Sequence, residues 1–243
     1  MPDSPTKPTL FLTTRWSLVR DAARGGDEAA SAALGDLCGM YWRPLYRYAR
    51  RRGNSREDAE DLVQGFLARI AEPRRLGGVD AEKGRFRAFL LASFNHWMAS
   101  EWKRGARIKR GGGVSPLSLD WEDAETGLTL DPADNRSPDR LYDREWALAL
   151  LDKVLADLQH ASIEEGNAAQ FEVLKPCLTA DSARIPYADL AARLGTTEGA
   201  ARVAVHRLRK RYRHLLTAEI SRTLASPDAM EEEMRSLFAA LAG

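Results

Sequence analysis

IPYADLAARLGTTEGAARVAVHRLRKRY, residues 185–212 of this chain, has the pattern of two helices separated by a glycine. Gly195 suits the end of the first helix, because glycine adopts a left-handed backbone without strain. Thr196 or Thr197 can cap the second helix, and Glu198 is favourably placed in its first turn. A short helix, a glycine turn and a longer basic helix together predict a helix-turn-helix, in which the second helix enters the major groove of DNA.

The predicted second helix has an apolar face and a basic face. The apolar face recurs at helical spacing and packs on the core; its residues are Ala201, Val205, Leu208 and Tyr212. A basic amphipathic helix alone is more often a solvated surface, but the preceding cap, turn and short helix favour DNA binding. The residues predicted to contact DNA from this segment are Thr197, Glu198, Arg202, Val203, His206, Arg207 and Lys210.

Charge is distributed unevenly along the 243 residues, although the net charge is only +1. A small net charge argues against a protein that coats nucleic acid indiscriminately. One basic run covers 103–110, a second covers 202–213, and an acidic stretch covers 120–145 between them. Two cationic segments with an anionic connector indicate two DNA contacts joined by a linker that avoids the phosphates.

Helical periodicity runs through most of the chain, and no stretch with a period of two is long enough for a strand. The 44% of hydrophobic residues is ordinary for a globular protein. We therefore predict an all-α protein with two helical domains joined by a flexible linker, the second domain being the helix-turn-helix. The predicted divisions are a disordered N-terminus over 1–13, a first domain over 14–107, a linker over 108–140, a second domain over 141–216 and a helical extension over 217–243.

The first domain has three predicted helices. Gly53 closes the first helix, and Ser55 followed three residues later by Asp58 resembles a capping box that opens the second. The third helix runs from 86 to 107 and leads into the first basic run. Within it, Trp97 continues the apolar stripe, so we predict a core position for that side chain.

Secretion, a membrane span, a metal site and catalysis are not indicated. No apolar run approaches the roughly 20 residues that a membrane span needs, so we expect a cytoplasmic protein without a membrane partner. Cys38 and Cys177 have no Cys or His at metal-ligand spacing and are predicted to be reduced, packed thiols. The four histidines have no catalytic partner at a telling spacing, and the glycines of 111–113 lack the residues of a phosphate loop. We predict no cofactor, no metal and no enzymatic activity.

Three stretches together resemble a bacterial sigma factor of the extracytoplasmic-function type, a two-domain initiation subunit of RNA polymerase. YWRPLYRYARRRG at 41–53 looks like part of the promoter-melting domain of that family. EDAEDLVQGFL at 57–67 is similar to the helix by which such factors hold the polymerase clamp. The helix-turn-helix resembles the domain that reads the upstream promoter element. The resemblance covers roughly residues 14–216.

The resemblance implies a polymerase-binding face at Asp58, Asp61 and Gln64. These residues are three apart, so they share one side of the helix, opposite its apolar side. Such an acidic face can pair with a basic partner surface and set the register of the complex. Gly65 departs from the family, which commonly has a carboxylate there, and glycine inside a helix costs about 0.5–1 kcal/mol relative to alanine.

The resemblance also implies that the third helix reads the downstream promoter element. Unstacking a base costs a few kcal/mol, which aromatic stacking and phosphate contacts offset. The role of Trp102 stays open between stacking and packing. The chain has Asn95-His96 where the family usually has Arg-Asn, so promoter specificity does not transfer. The downstream-DNA residues implied are Asn95, His96 and Ser100 for base edges and Lys103, Arg104 and Arg107 for the phosphates.

The function implied is that of a sigma factor with core RNA polymerase and promoter DNA as partners; an inhibitory anti-sigma protein or a regulatory kinase is a further partner to consider. Two alternatives remain open: a stand-alone helix-turn-helix regulator, which binds DNA without polymerase, and an interaction protein that binds polymerase without directing initiation. We also hypothesise that the amphipathic tail helix near 230–241 docks on the protein's own second domain or on a partner.

Overall fold

The computed structural model describes residues 28–71, 86–105, 119–126, 128, 137–222, 224 and 227–242. Every regular element in these ranges is helical, which confirms the all-α prediction. The prediction for residues 1–13 lies outside the described residues. Among the helices described, none combines the length and apolar character that crossing a membrane requires.

The first three helices are α1 (Glu28–Arg51), α2 (Arg56–Ala71) and α3 (Phe86–Gly105). Their apolar residues recur every three or four positions, so each helix turns one side toward a shared core. Aromatic rings meet edge to face in this core, with Tyr41 and Phe86 at 5.5 Å between ring centroids. The fully buried side chains of these helices include Tyr41, Leu45, Val63, Leu67, Phe86 and Phe94.

The junction between α1 and α2 forms as predicted. Gly53 has a φ of 89°, a left-handed backbone that ends α1. The side chain of Asn54 donates to the carbonyl of Ala49 at 2.8 Å and satisfies one of the last helical carbonyls. The Ser55 hydroxyl accepts the backbone N–H of Asp58 at 3.1 Å and donates to the Asp58 carboxylate at 2.6 Å. Ser55 therefore caps α2 together with Asp58.

The stretch 108–140, predicted as a flexible linker, contains a short helix that packs on α1. This helix, α4, spans Trp121–Glu125. The ring of Trp121 lies 5.2 Å from that of Trp42 and 5.2 Å from that of Tyr46. Arg47 of α1 donates to the carbonyl oxygen of Ala124 at 2.8 Å. The description as flexible is therefore wrong for residues 121–125, because aromatic packing and a buried arginine hold them on α1.

The next helices are α5 (Pro138–Glu164), α6 (Ala168–Leu174), α7 (Tyr187–Leu194) and α8 (Glu198–Ser221). Short 3₁₀ turns at Lys175–Leu178 and Ser182–Arg184 connect α6 to α7. The helix-turn-helix pair α7 and α8 packs on a core of its own. The buried residues of this core are Leu174, Cys177, Ile185, Leu190, Ala191, Ala201 and Val205.

The chain folds into two compact units whose limits differ from the predicted divisions. The second unit spans Trp146–Glu219, so it begins within α5 and ends within α8. The described residues up to Glu145 and those from Ile220 onward form the first unit. A 3₁₀ turn at Pro227–Ala229 and the last helix, α9 (Met230–Ala242), thus belong to the first unit. This placement corrects the part of the hypothesis that docks the tail on the second domain; docking of the tail on a partner stays a prediction.

Candidate nucleic-acid interface

The turn between α7 and α8 has the geometry of a Schellman cap followed by a threonine cap. Gly195 has a φ of 61°, and its N–H donates to the carbonyl of Ala192 while the N–H of Thr196 donates to that of Ala191 at 2.9 Å. The hydroxyl of Thr197 accepts the backbone N–H of Ala200 at 3.3 Å. Of the two threonines that the sequence allows as a cap, the structure uses Thr197.

The outward face of α8, together with its cap Thr197, contains every residue that the sequence predicts for this surface. Ala201 and Val205 point to the core, with 0% and 2% of their surface exposed. The side chain of Val203 is 48% exposed on the opposite side, where it offers an apolar contact among cationic and polar groups. The exposed residues are Thr197, Glu198, Arg202, Val203, His206, Arg207 and Lys210.

Arg202 is held in place although it is exposed. Its guanidinium carbon lies 4.1 Å from the ring centroid of Tyr187, a cation–π contact that joins the two helices of the motif. Its Nη2 also lies 3.9 Å from the Glu198 carboxylate one turn earlier. Both contacts restrict the rotamers of Arg202, whose side chain stays 59% exposed.

Two further arginines of the basic run 202–213 have internal partners. Arg209 donates to the carbonyl of Cys177 at 2.7 and 2.9 Å and to the Ser182 hydroxyl, so it fastens the 3₁₀ turns before α7. Arg211 donates two hydrogen bonds of 2.6 and 2.7 Å to the Glu165 carboxylate. Hydrogen bonds from Arg211 hold the pKa of the Glu165 carboxyl below its usual value. The structure thus separates structural arginines from those on the exposed face.

On α3, the predicted downstream-DNA residues lie along the part of the helix that follows its buried first turns. Asn95 is half-buried, and its Oδ1 accepts a hydrogen bond from the Tyr48 hydroxyl at 2.9 Å. His96, Ser100 and Lys103 are exposed. The Ser100 hydroxyl donates to the His96 carbonyl at 2.8 Å, which fixes its rotamer on the helix. The prediction for the side chains of Arg104 and Arg107 lies outside the described residues.

A surface pocket of about 300 Å³ lies beside this part of α3. Trp102 lines it with 67% of its surface exposed. Arg52 lies 6.0 Å from the centroid of the Tyr48 ring, and the Tyr48 hydroxyl is 3.2 Å from the Asp139 carboxylate. The sequence did not indicate Tyr48, Arg52 and Asp139 as pocket residues, because the end of α1 and the start of α5, which supply them, are far apart in sequence.

Trp97 is half-buried against α2, whereas its apolar stripe predicts a core position. Its indole N–H donates to the Leu62 carbonyl at 3.0 Å, and its ring lies against Gly65 of α2. The guanidinium of Arg69 covers the ring at 5.3 Å. The close approach of the ring gives a packing reason for glycine at 65.

The acidic side of α2 faces solvent. Asp58 and Asp61 are exposed and Gln64 is half-exposed, whereas Val63 behind them is fully buried. The Asp58 carboxylate already accepts a hydrogen bond from Ser55. Asp61 lies between Asp58 and Gln64 on this surface and is exposed.

The two cysteines are buried and free. Burial raises the pKa of the Cys38 thiol to about 11 and also raises that of the Cys177 thiol. Both thiols therefore stay protonated near neutral pH. Over the residues that the structure describes, no three His, Cys, Asp or Glu side chains are grouped so that they could hold a metal ion.

Residues 37–108 match the family model of sigma-70 region 2. The match takes in α1 from position 37, all of α2 and all of α3, and it supports a sigma-70 family member through this part of the first unit. It covers under a third of the 243 residues and leaves the helix-turn-helix unit unmatched. Comparison with curated proteins and with solved structures gives no match.

Proposed function

We propose that this chain is a bacterial sigma factor of the extracytoplasmic-function type, which binds core RNA polymerase and directs promoter-specific initiation of transcription. The observation that carries the proposal is the match to sigma-70 region 2, which falls on the three helices that present an acidic face and a polar, aromatic pocket. The helix-turn-helix, with its exposed basic face, supplies a second DNA contact. The protein itself performs no bond chemistry and acts in the cytoplasm.

Polymerase binding is assigned to Asp58, Asp61 and Gln64 of α2. The three side chains lie on the exposed side of a helix whose other side is anchored in the core by Val63 and Leu67. A rigid helix that presents charge in a fixed register can orient a partner, because charge complementarity sets register and association rate more than affinity. Because Gly65 stands where the sigma-factor helix that α2 resembles commonly has a carboxylate, this surface has one carboxylate fewer.

Downstream promoter contact is assigned to α3 and the pocket beside it. Stacking of an unpaired base on an aromatic side chain contributes about 1–3 kcal/mol, enough to offset much of the cost of unstacking that base. Trp102 offers an exposed ring, Asn95 an amide that Tyr48 orients, and Lys103 a cation for a phosphate. His96 and Ser100 lie on the same helix within reach of base edges.

Upstream promoter contact is assigned to the exposed face of α8. Arg202 and Arg207 can donate to guanine edges or phosphates, Lys210 can neutralise a phosphate, and Val203 can contact a thymine methyl group. Thr197 and Glu198 lie at the first turn of α8, the end of a recognition helix that approaches the bases. An anti-sigma protein or a regulatory kinase would act by covering one of these surfaces.

One observation favours a second candidate, the stand-alone regulator. The match to sigma-70 region 2 ends at residue 108, whereas the helix-turn-helix lies wholly beyond it. A regulator would bind its DNA site tightly without polymerase. A sigma factor would bind promoter DNA well only as a polymerase subunit.

The test is promoter binding by the purified full chain with and without core polymerase. We expect protection of both promoter elements, and permanganate reactivity of thymines in the opened region, only when polymerase is present. Equally strong protection of one site without polymerase would support the stand-alone regulator. A stable complex with polymerase that neither protects nor opens DNA would support an interaction protein instead.

A further inference from the structure

Arg87, in the first turn of α3, is a buried cation held by residues from two distant parts of the chain. It is 4% exposed. Its Nε donates to the Asp143 carboxylate of α5 at 2.8 Å, and its Nη2 donates to the Ser236 hydroxyl of α9 at 2.8 Å. Its Nη1 pairs with the carboxylate of Glu233, also of α9. The last helix, α9, thus supplies two of the side chains that bond this arginine.

Glu233 is 1% exposed, an unusual environment for a carboxylate. It belongs to the run Glu231-Glu232-Glu233, whose first two members are exposed. Leu237, one turn later, is also 1% exposed, whereas its neighbour Phe238 is 59% exposed. The helix therefore buries the face that carries Glu233 and Leu237 and leaves its aromatic side chain, Phe238, outside. Pairing with Arg87 thus contributes, beside apolar burial, to how α9 docks.

Arg87 is fixed through its backbone as well as its side chain. Its carbonyl accepts a hydrogen bond from the Tyr142 hydroxyl of α5 at 3.4 Å. Eight residues further along α3 lies Asn95, which Tyr48 holds from the other side. A helix transmits the position of its first turn to the next two turns, because its backbone hydrogen bonds keep it rigid. Contacts at Arg87 therefore fix where Asn95 and the pocket beside it lie.

We propose that α9 holds α3 in position within the first unit, and that Glu233 is the positioning residue. Glu233 acts through Arg87 to set the start of α3, so the protein needs its C-terminal helix for opening the downstream promoter and not for binding polymerase through α2. The positioning itself concerns the protein alone; the consequence for promoter opening rests on the proposed function.

The experiment compares full-chain Glu233→Gln, which keeps the shape of the side chain and removes its charge, with Glu231→Gln, which makes the same change at an exposed site of α9. Hydrogen exchange of the amides of residues 90–96 is measured on each protein alone. We expect these amides to exchange roughly tenfold faster, or more, in Glu233→Gln, because the substitution removes the buried ion pair that holds Arg87 of α3. The amides of α8 should exchange as in the wild type, because α8 takes no part in that pair. Glu231→Gln should match the wild type.

The same proteins are then tested with core polymerase. We expect Glu233→Gln to co-elute with polymerase as the wild type does while permanganate reactivity of promoter thymines falls severalfold. A milder variant, Ser236→Ala, removes one hydrogen bond and should shift exchange in the same direction; it decides the question if Glu233→Gln exchanges fast throughout the chain.

Equal exchange of the α3 amides in Glu233→Gln, Ser236→Ala and the control would overturn the positioning role. An equal loss of polymerase binding and promoter opening in Glu233→Gln would overturn the proposal that α9 serves promoter opening through α3 and not polymerase binding through α2. If the wild type neither binds polymerase nor opens a promoter, the proposed function fails, and the exchange measurement still decides whether Glu233 positions α3.

Discussion

Trp97 and Gly65 are packed so closely that a Cβ built on the glycine would lie 2.9 Å from Cζ2 of the indole ring. The ring cannot retreat freely, because its N–H donates to the Leu62 carbonyl at 3.0 Å. The position at which the sequence resemblance leads one to expect a carboxylate is therefore occupied by a neighbouring ring. The packing of α2 against α3 thus favours glycine at this position.

The contact predicts the effect of Gly65→Ala. The new methyl group must displace the ring, and overpacking of this kind costs about 1–3 kcal/mol, more than the 0.5–1 kcal/mol that alanine contributes to a helix. We expect a lower free energy of unfolding by denaturant titration. The control is Gly39→Ala in α1, where nothing lies within 4 Å, and this variant should be more stable than the wild type. Stabilisation by both substitutions would contradict the packing account.

The acidic face of α2 predicts a loss of polymerase binding in Asp61→Arg. Reversing an exposed charge places like charges opposite each other in the complex, so we expect at least about tenfold weaker co-purification with core polymerase. Helical content should not change, because Asp61 is exposed. Glu231→Arg makes the same change in charge on α9 and should bind as the wild type does. Unaltered binding by Asp61→Arg would remove α2 as the contact.

Two neighbouring cations on α8 should respond differently to substitution by alanine. Lys210 is exposed, so Lys210→Ala should change stability by less than about 0.5 kcal/mol and lower the salt dependence of DNA binding by about one counterion. Arg209 bonds the Cys177 carbonyl, so Arg209→Ala should lower the free energy of unfolding by about 1.5–3 kcal/mol. Thermal denaturation and a salt titration of binding to promoter DNA separate the two effects. A large loss of stability in Lys210→Ala, with a reduced salt dependence in Arg209→Ala instead, would contradict the exposed face described for α8.

The docking of α4 on α1 should weaken in acid. Burial tends to raise the pKa of the Glu125 carboxyl, but hydrogen bonds from Arg50, at 2.6 Å, and from Tyr46 outweigh it and lower that pKa overall. A glutamate carboxyl has a pKa of about 4.3 in the unfolded chain. When folding lowers that pKa, the carboxylate stabilises the folded protein at pH values above the unfolded-state pKa, and this contribution is lost as the pH falls through the folded-state pKa.

We therefore expect wild type to exceed Glu125→Gln by up to about 1 kcal/mol in free energy of unfolding at pH 7. The difference should shrink steadily below about pH 4.3 as the carboxylate of the wild type is protonated. Denaturant titrations of both proteins between neutral and acid pH measure it. A difference that grows toward acid pH would contradict the ion pairs assigned to Glu125.

Features set by nearby residues were predictable from the sequence. The turn at Gly195, a threonine cap at 196 or 197 and the cap at Ser55 each depend on residues within one turn of a helix, so their spacing carries the information. The choice of Thr197 over Thr196 came from the structure. The exposed face of α8 follows from its apolar stripe in the same way. For this reason all seven residues predicted on that face lie on the surface.

Features set by distant residues were not predictable. The buried pair of Arg47 and Glu145 joins positions 98 apart, and Arg87 bonds Ser236 across 149 positions. In sequence, Glu145 belongs to an acidic stretch typical of a solvated linker, and Glu233 belongs to a run of three glutamates. Charged residues are rarely buried, so no local pattern indicates that these two have buried arginine partners. The docking of α4 and α9 therefore required the structure.

The most direct test of the account is run-off transcription with purified core polymerase, the full chain and a pool of genomic promoter fragments from the host. Wild-type protein should give discrete starts that are absent without it, Asp61→Arg should abolish them, and Glu231→Arg should preserve them. Transcripts that do not depend on the protein, or starts that persist unchanged in Asp61→Arg, would contradict the proposal that this chain is a sigma factor that binds polymerase through α2.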